Sequence, residues 1–104
     1  MLRPAGILVL LASLAGLAMA ADVTVVQKDR AFSVKQLTLK VGDQVTFLNQ
    51  DTVNHNIYSE TKGLEFDLMQ TPGSSHTVRF AQPGVAEVRC AIHPAMKLEV
   101  RVTP

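Results

Sequence analysis

Tryptophan is absent from this chain of 104 residues, and tyrosine and cysteine occur once each. A single thiol can form no internal disulfide, so the chain lacks the cross-links that many small exported domains use to offset a thin core. An excess of either charge is missing too: ten Lys and Arg stand against nine Asp and Glu, a formal net charge of +1 at pH 7. That balance offers no basic patch or stripe, which argues against nucleic-acid binding. Beyond the first twenty residues no apolar run could span a bilayer, and there is no internal repeat, low-complexity segment or convincing helical stretch.

The chain opens with a pattern of its own. Arg3 supplies a short positive region, Gly6 to Leu17 is almost unbroken apolar sequence, and Ala18-Met19-Ala20 gives small-x-small before Ala21. The apolar run is shorter than the ~20 residues a spanning helix needs. The pattern predicts a signal peptide over residues 1–20, cleaved before Ala21, and one mature domain over residues 21–104. Export to the periplasm follows, with no stable membrane insertion after cleavage. Losing Arg3 leaves nine basic and nine acidic residues. A neutral domain has no strong field with which to steer a partner.

Apolar residues then recur with a period of two. Leu37, Leu39 and Val41, Val45 and Phe47, and Leu64, Phe66 and Leu68 each alternate with polar neighbours. So do Val78 and Phe80, then Ala86, Val88 and Cys90, and finally Leu98, Val100 and Val102. Such alternation predicts half-buried antiparallel strands. Asp22 to Gln27 is a further strand, and Phe32 with Val34 a weaker one. Gly42-Asp43, Thr71-Pro72-Gly73 and Gln82-Pro83-Gly84 punctuate the runs. Pro-Gly fits the central positions of a type II turn, where the second residue takes positive φ. Residues 51–63 read as a loop region carrying His55. The expected fold is all-β, a two-sheet sandwich or small barrel of about seven to eight strands.

The chemistry concentrates near the C-terminus. Cys90, His93 and Met96 fall in the run Cys90-Ala91-Ile92-His93-Pro94-Ala95-Met96, and His55 lies well upstream. A buried cysteine on its own is most often a small inert hydrophobe, and a lone His or Met is loop or core filler. Here they occur together, in an exported β domain without disulfides. One thiolate, two imidazoles and a thioether make a donor set suited to copper. Alternation points Cys90 inward at the end of its strand, and His93 and Met96 fall in the connection to the next strand. Zinc accepts thiolate and imidazole as well, but a methionine donor argues against a structural zinc site. A nucleophilic Cys90 with a histidine base would need an oxyanion or substrate motif that the chain does not display, so no enzymatic activity is expected. A metal-free binding module is a further alternative. His76 reads as a solvated turn residue, Met69 as packing, and Tyr58 as a core or rim aromatic.

Cys90-x2-His93-x2-Met96, with Pro94 after the histidine, resembles the ligand loop of the cupredoxins, the blue copper proteins, and its spacing is most similar to that of amicyanins. His55-Asn56 is similar to the upstream ligand of that family and the asparagine after it, and Pro83-Gly84 to the turn entering its cysteine strand. Ala95 departs from the pattern, standing where amicyanins carry a bulkier residue. The resemblance covers essentially the whole mature chain. It implies a Greek-key cupredoxin-like sandwich holding one copper ion that cycles between Cu(I) and Cu(II). Cys90, His55 and His93 would lie in the trigonal plane with Met96 as the long axial contact. The backbone N–H of Asn56 would touch the thiolate. The implied function is one-electron transfer by a monomer whose redox partner proteins dock near His93. An exported copper carrier or delivery protein is the alternative, although carriers often have Met- or His-rich tracts, and none is present.

Overall fold

The computed structural model describes residues 20–104. The signal peptide expected over 1–20 lies outside the described residues, apart from Ala20. Nine strands and no helix make up the described residues: β1 (Asp22–Lys28), β2 (Ala31–Phe32), β3 (Gln36–Lys40), β4 (Gln44–Asn49), β5 (His55–Ser59), β6 (Phe66–Gln70), β7 (Ser75–Arg79), β8 (Gly84–Arg89) and β9 (Lys97–Thr103). They form two sheets, one ordered β2-β1-β4-β7 and the other β3-β9-β8-β5-β6. The all-β sandwich is as expected. The antiparallel pairing is corrected in part, because β1 pairs parallel with β4 and β3 parallel with β9. After β2 the chain crosses to the second sheet as β3 and returns to the first as β4. A strand that departs and returns in this way re-enters beside β1 in the same direction. Alternation alone carries no information about that crossover.

Inward-facing residues of both sheets meet in one core, including Val25, Phe47, Ile57, Val88, Leu98 and Val100, each fully buried. With no tryptophan to fill the centre, the four phenylalanines do so as a chain of contacts. Phe32 meets Phe47 at 6.4 Å between centroids, Phe47 meets Phe66 at 6.2 Å, and Phe66 meets Phe80 edge-on at 6.0 Å. Each such pair contributes about 0.5–1.5 kcal/mol beyond the area it buries.

At one end of the sandwich the inward positions turn polar. Gln27, Asn49, His55 and Gln70 are all 0% exposed. Gln27 Nε2 donates to Gln70 Oε1 at 2.7 Å, and Gln70 Nε2 donates to Phe47 O at 2.8 Å and lies 3.2 Å from His76 Nδ1. Asn49 Nδ2 donates to Val53 O and Gln70 O, both at 3.0 Å. Buried polar groups of this kind are tolerated because nearly every donor and acceptor finds a partner. The network corrects the expectation for His76, which belongs to β7 and joins the polar cluster instead of facing solvent in a turn. Met69 is also corrected: it is 58% exposed on β6 and does not pack. Val41, at 41% exposure, has left the core face and lies in the turn after β3.

Of the two Pro-Gly turns, one is as expected and the other is not. Gly73 has φ 83°, as a type II turn after Pro72 requires, whereas Gly84 has φ 147° and opens β8. The β1–β2 hairpin turns on Asp29 and Arg30, with φ 52° and 56°. Positive φ at both central positions is the signature of a type I′ turn, which Asn-Gly or Asp-Gly usually supplies. Neither residue here is glycine, so something outside the turn must offset the strain.

Candidate metal centre

β8 ends at Arg89 and β9 begins at Lys97, so Cys90 to Met96 connect neighbouring antiparallel strands. Cys90 follows Ala86 and Val88 on the inward face and is 1% exposed. The connection closes on a hydrogen bond from Met96 N–H to His93 O at 2.9 Å, which returns Met96 to the core cluster at 2% exposure. Ile92 is left 48% exposed, and His93 is half-buried.

His55 arrives by a route the sequence concealed. It is the first residue of β5, not part of a loop over residues 51–63. β5 pairs antiparallel with β8 through Tyr58 and Arg89. The same register carried past Arg89 sets Asn56 opposite Ala91. Ala91 N–H donates to Asn56 Oδ1 at 2.7 Å, and Asn56 Nδ2 donates to Asp67 Oδ1 at 2.6 Å. Asn56 thereby fastens the start of the ligand loop to β5 and β6. Its backbone N–H donates to Cys90 Sγ at 3.3 Å, the contact that the resemblance implied.

The result is a triangle of donor atoms. Cys90 Sγ lies 3.8 Å from His55 Nδ1 and 3.8 Å from His93 Nδ1, and the two nitrogens are 3.1 Å apart. Two bonds of about 2.0–2.1 Å to nitrogen, or one of those and one of about 2.3 Å to sulfur, can span these gaps. His55, Cys90 and His93 are thus close enough to share one ion. His76 stands apart, in the polar cluster around Gln70.

One participant was missed altogether. Asp51 Oδ2 lies 2.6 Å from His55 Nε2. The same carboxylate accepts Asp29 N–H on Oδ1 at 2.6 Å and Arg30 N–H on Oδ2 at 2.9 Å. Burial works against its charge, but the hydrogen bonds from Arg30, His55 and Asp29 outweigh that and hold the carboxyl at about 2. As an acceptor, the carboxylate fixes the proton of His55 on Nε2 and leaves the Nδ1 lone pair facing Cys90 and His93. It also ties down the two left-handed residues of the β1–β2 turn, which is how that turn forms without glycine. The spacing Asp51-x3-His55 was visible, but an acidic residue in a polar stretch reads as solvated until the turn is seen to cover it. His93, for its part, is shifted toward the neutral form. Burial is the main cause, with Arg30 and His55 adding to it and Asp51 opposing. Neutral imidazole is the form that binds metal.

Comparison with known proteins agrees with this geometry. Amicyanin-alpha of Methylorubrum extorquens is 31% identical over 75 residues, covering 68% of this chain and 63% of that protein. A copper-containing nitrite reductase from Thermus scotoductus superposes with a TM-score of 0.74 at 27% identity, matching 84% of this chain but 23% of the enzyme. A purple cupredoxin from Nitrosopumilus maritimus does so with a TM-score of 0.67 at 26% identity, over 79% of this chain and all of that one. The chain spans 60 to 63% of the length of the first curated relatives it matches. The family model for copper binding proteins of the plastocyanin/azurin family matches residues 19–103. With that match running through both halves of the donor triangle, the chain belongs to the plastocyanin/azurin family of copper-binding proteins.

Proposed function

We propose that this protein is a type 1 copper electron carrier in which His55 Nδ1, Cys90 Sγ and His93 Nδ1 hold one copper ion and Met96 supplies a weak axial donor. The observation that carries this reading is the convergence of one thiolate and two imidazoles to within 3.8 Å of one another. Copper bound there supplies a one-electron Cu(II)/Cu(I) couple. Three of the four side chains are almost wholly buried: His55 at 0%, Cys90 at 1% and Met96 at 2% exposure. Their backbones belong to, or directly adjoin, hydrogen-bonded strands, so the donors hold their places while the charge changes. The Asn56 N–H and the sealed pocket keep the sulfur from solvent. His93 is the half-buried member and the natural route for the electron. Partner proteins would dock around it, where Ile92 offers an apolar contact.

Burial of the donors also separates carriage of electrons from carriage of copper. A copper acceptor displaces donors one after another, and here three of the four, His55, Cys90 and Met96, are buried beyond its reach, which favours electron transfer over copper delivery. Cys90 is 1% exposed, so its sulfur is out of reach of a substrate, which supports an electron carrier over an enzyme. The leader pattern supports export to the periplasm with a mature domain over residues 21–104.

The test is optical. Mature protein given Cu(II) should develop an intense visible thiolate-to-copper band that a reductant bleaches and an oxidant restores. A colourless adduct, or copper lost quickly and completely to a chelator at neutral pH, would contradict the assignment.

A further inference from the structure

Ala21 makes two hydrogen bonds through its backbone just ahead of β1. Its carbonyl accepts Gln44 N–H at 2.9 Å, and its own N–H donates to Asp43 Oδ1 at 2.9 Å. Ala21 precedes β1 and is exposed, as is Ala20, so these two hydrogen bonds are what tie it to the sheet. Asp43 is only 9% exposed, and its second oxygen accepts Lys40 N–H at 2.9 Å. Ala21, Thr38, Lys40, Asp43 and Thr103 line a crevice around this contact. Among the described residues Asp43 makes no ion pair, although the three ion pairs present include ones on the open surface. A shielded carboxylate therefore points at the atom that leader removal would turn into an ammonium.

Resting on the export reading above, we infer that hydrolysis of the Ala20–Ala21 bond, by a peptidase selective for small residues, converts this hydrogen bond into an ion pair that completes the fold. Water adds across the bond. Its oxygen joins the Ala20 carbonyl, which departs with the leader as a carboxylate, and both its protons end on the Ala21 nitrogen. The nitrogen's original hydrogen bond to Asp43 is kept, now from a charged donor, and charge-assisted hydrogen bonds are roughly twice as strong as neutral ones. The Asp43 carboxyl already lies below the usual range, mainly because of the Lys40 N–H and then the Ala21 N–H, so it is ionised and ready to pair. Processing thus stabilises the domain at a site remote from the donor triangle.

Two measurements test this. The mass of the exported protein reports where it begins: Ala21 is expected, and any other first residue overturns both the inference and the cleavage reading. Urea unfolding then compares the chain starting at Ala21 with one extended back to Ala18, each with and without Asp43→Asn. The chain starting at Ala21 should have a severalfold larger folding constant than the extended one, and the advantage should disappear in the Asp43→Asn background. Equal stability of the two chains with Asp43 intact overturns the inference while leaving cleavage standing. If Asp43→Asn does not fold, the rate at which an acylating reagent modifies the α-amine decides. It should be slower in the folded mature protein than in urea, and equal rates overturn the ion pair.

Discussion

Cys90→Ser is expected to abolish the visible band completely and to lower copper affinity by well over the 10–100-fold typical of losing a residue that merely supports a ligand. The metal-free fold should survive. Serine nearly matches the volume of cysteine in a position 1% exposed, and its hydroxyl can accept the Asn56 N–H that now reaches Cys90 Sγ at 3.3 Å. The cost to the metal-free protein should therefore be near 1 kcal/mol, the scale of one altered hydrogen bond. Copper at a thousand times its dissociation constant stabilises a folded protein by about 4 kcal/mol. Added copper should raise the unfolding midpoint of the parent and leave that of Cys90→Ser unmoved. Urea titrations with and without copper provide the check. A variant that keeps both its colour and its copper-dependent stability would remove Cys90 from the site.

Asp51→Asn is the second substitution with a large expected effect. The carboxylate accepts three hydrogen bonds, from Asp29 N–H, Arg30 N–H and His55 Nε2. An amide presents one oxygen and one NH2, so at least one of those donors must face another donor. Hydrogen bonds to a charged group contribute about 1.5–3 kcal/mol each, and Asp29 and Arg30 hold strained positive φ values. A loss of about 3 kcal/mol in the metal-free protein is expected. Removing the negative charge beside a ligand also favours Cu(I) over Cu(II), so the reduction potential should rise. A tenfold change in the ratio of the two affinities corresponds to about 59 mV for one electron.

The pH dependence of the parent follows from the same group. The Asp51 carboxyl is held below its ordinary 3.8, at about 2. Its stabilising effect is therefore complete above about pH 4 and is lost as the pH falls toward 2, because the unfolded chain takes up the proton first. Urea midpoints of the metal-free parent should fall across that window, and those of Asp51→Asn should fall less. A reduction potential unchanged by Asp51→Asn would confine Asp51 to holding the turn.

How much of this was legible beforehand depended on whether a position served packing or chemistry. The strands with clean alternation, such as Leu98, Val100 and Val102 of β9, lie where the period of two placed them, with Leu98 and Val100 fully buried. β5 was hidden for a physical reason. Its inward positions include His55 and Ser59, so a strand buried on both faces carries little apolar signal. Gln70 disguises the end of β6 in the same way. Interruption of the apolar pattern by buried polar residues marks the end of the sandwich where the donors meet.

The C-terminal loop was readable because Cys90, His93 and Met96 are neighbours in sequence, and soft donors close together have few other uses. Asp51 was not readable, since its partners Asp29 and Arg30 are about twenty residues away and offer only backbone N–H groups, which every residue possesses. The parallel pairing of β1 with β4 was invisible for a related reason. It depends on which sheet the intervening strand joins, and no local pattern encodes that choice.

Crystals of the copper-loaded protein, measured on both sides of the copper absorption edge, locate the metal without assumption. A single strong anomalous peak is predicted within bonding distance of His55 Nδ1, Cys90 Sγ and His93 Nδ1 together. A peak elsewhere, such as beside His76, with the Cys90 sulfur out of reach, would contradict the account.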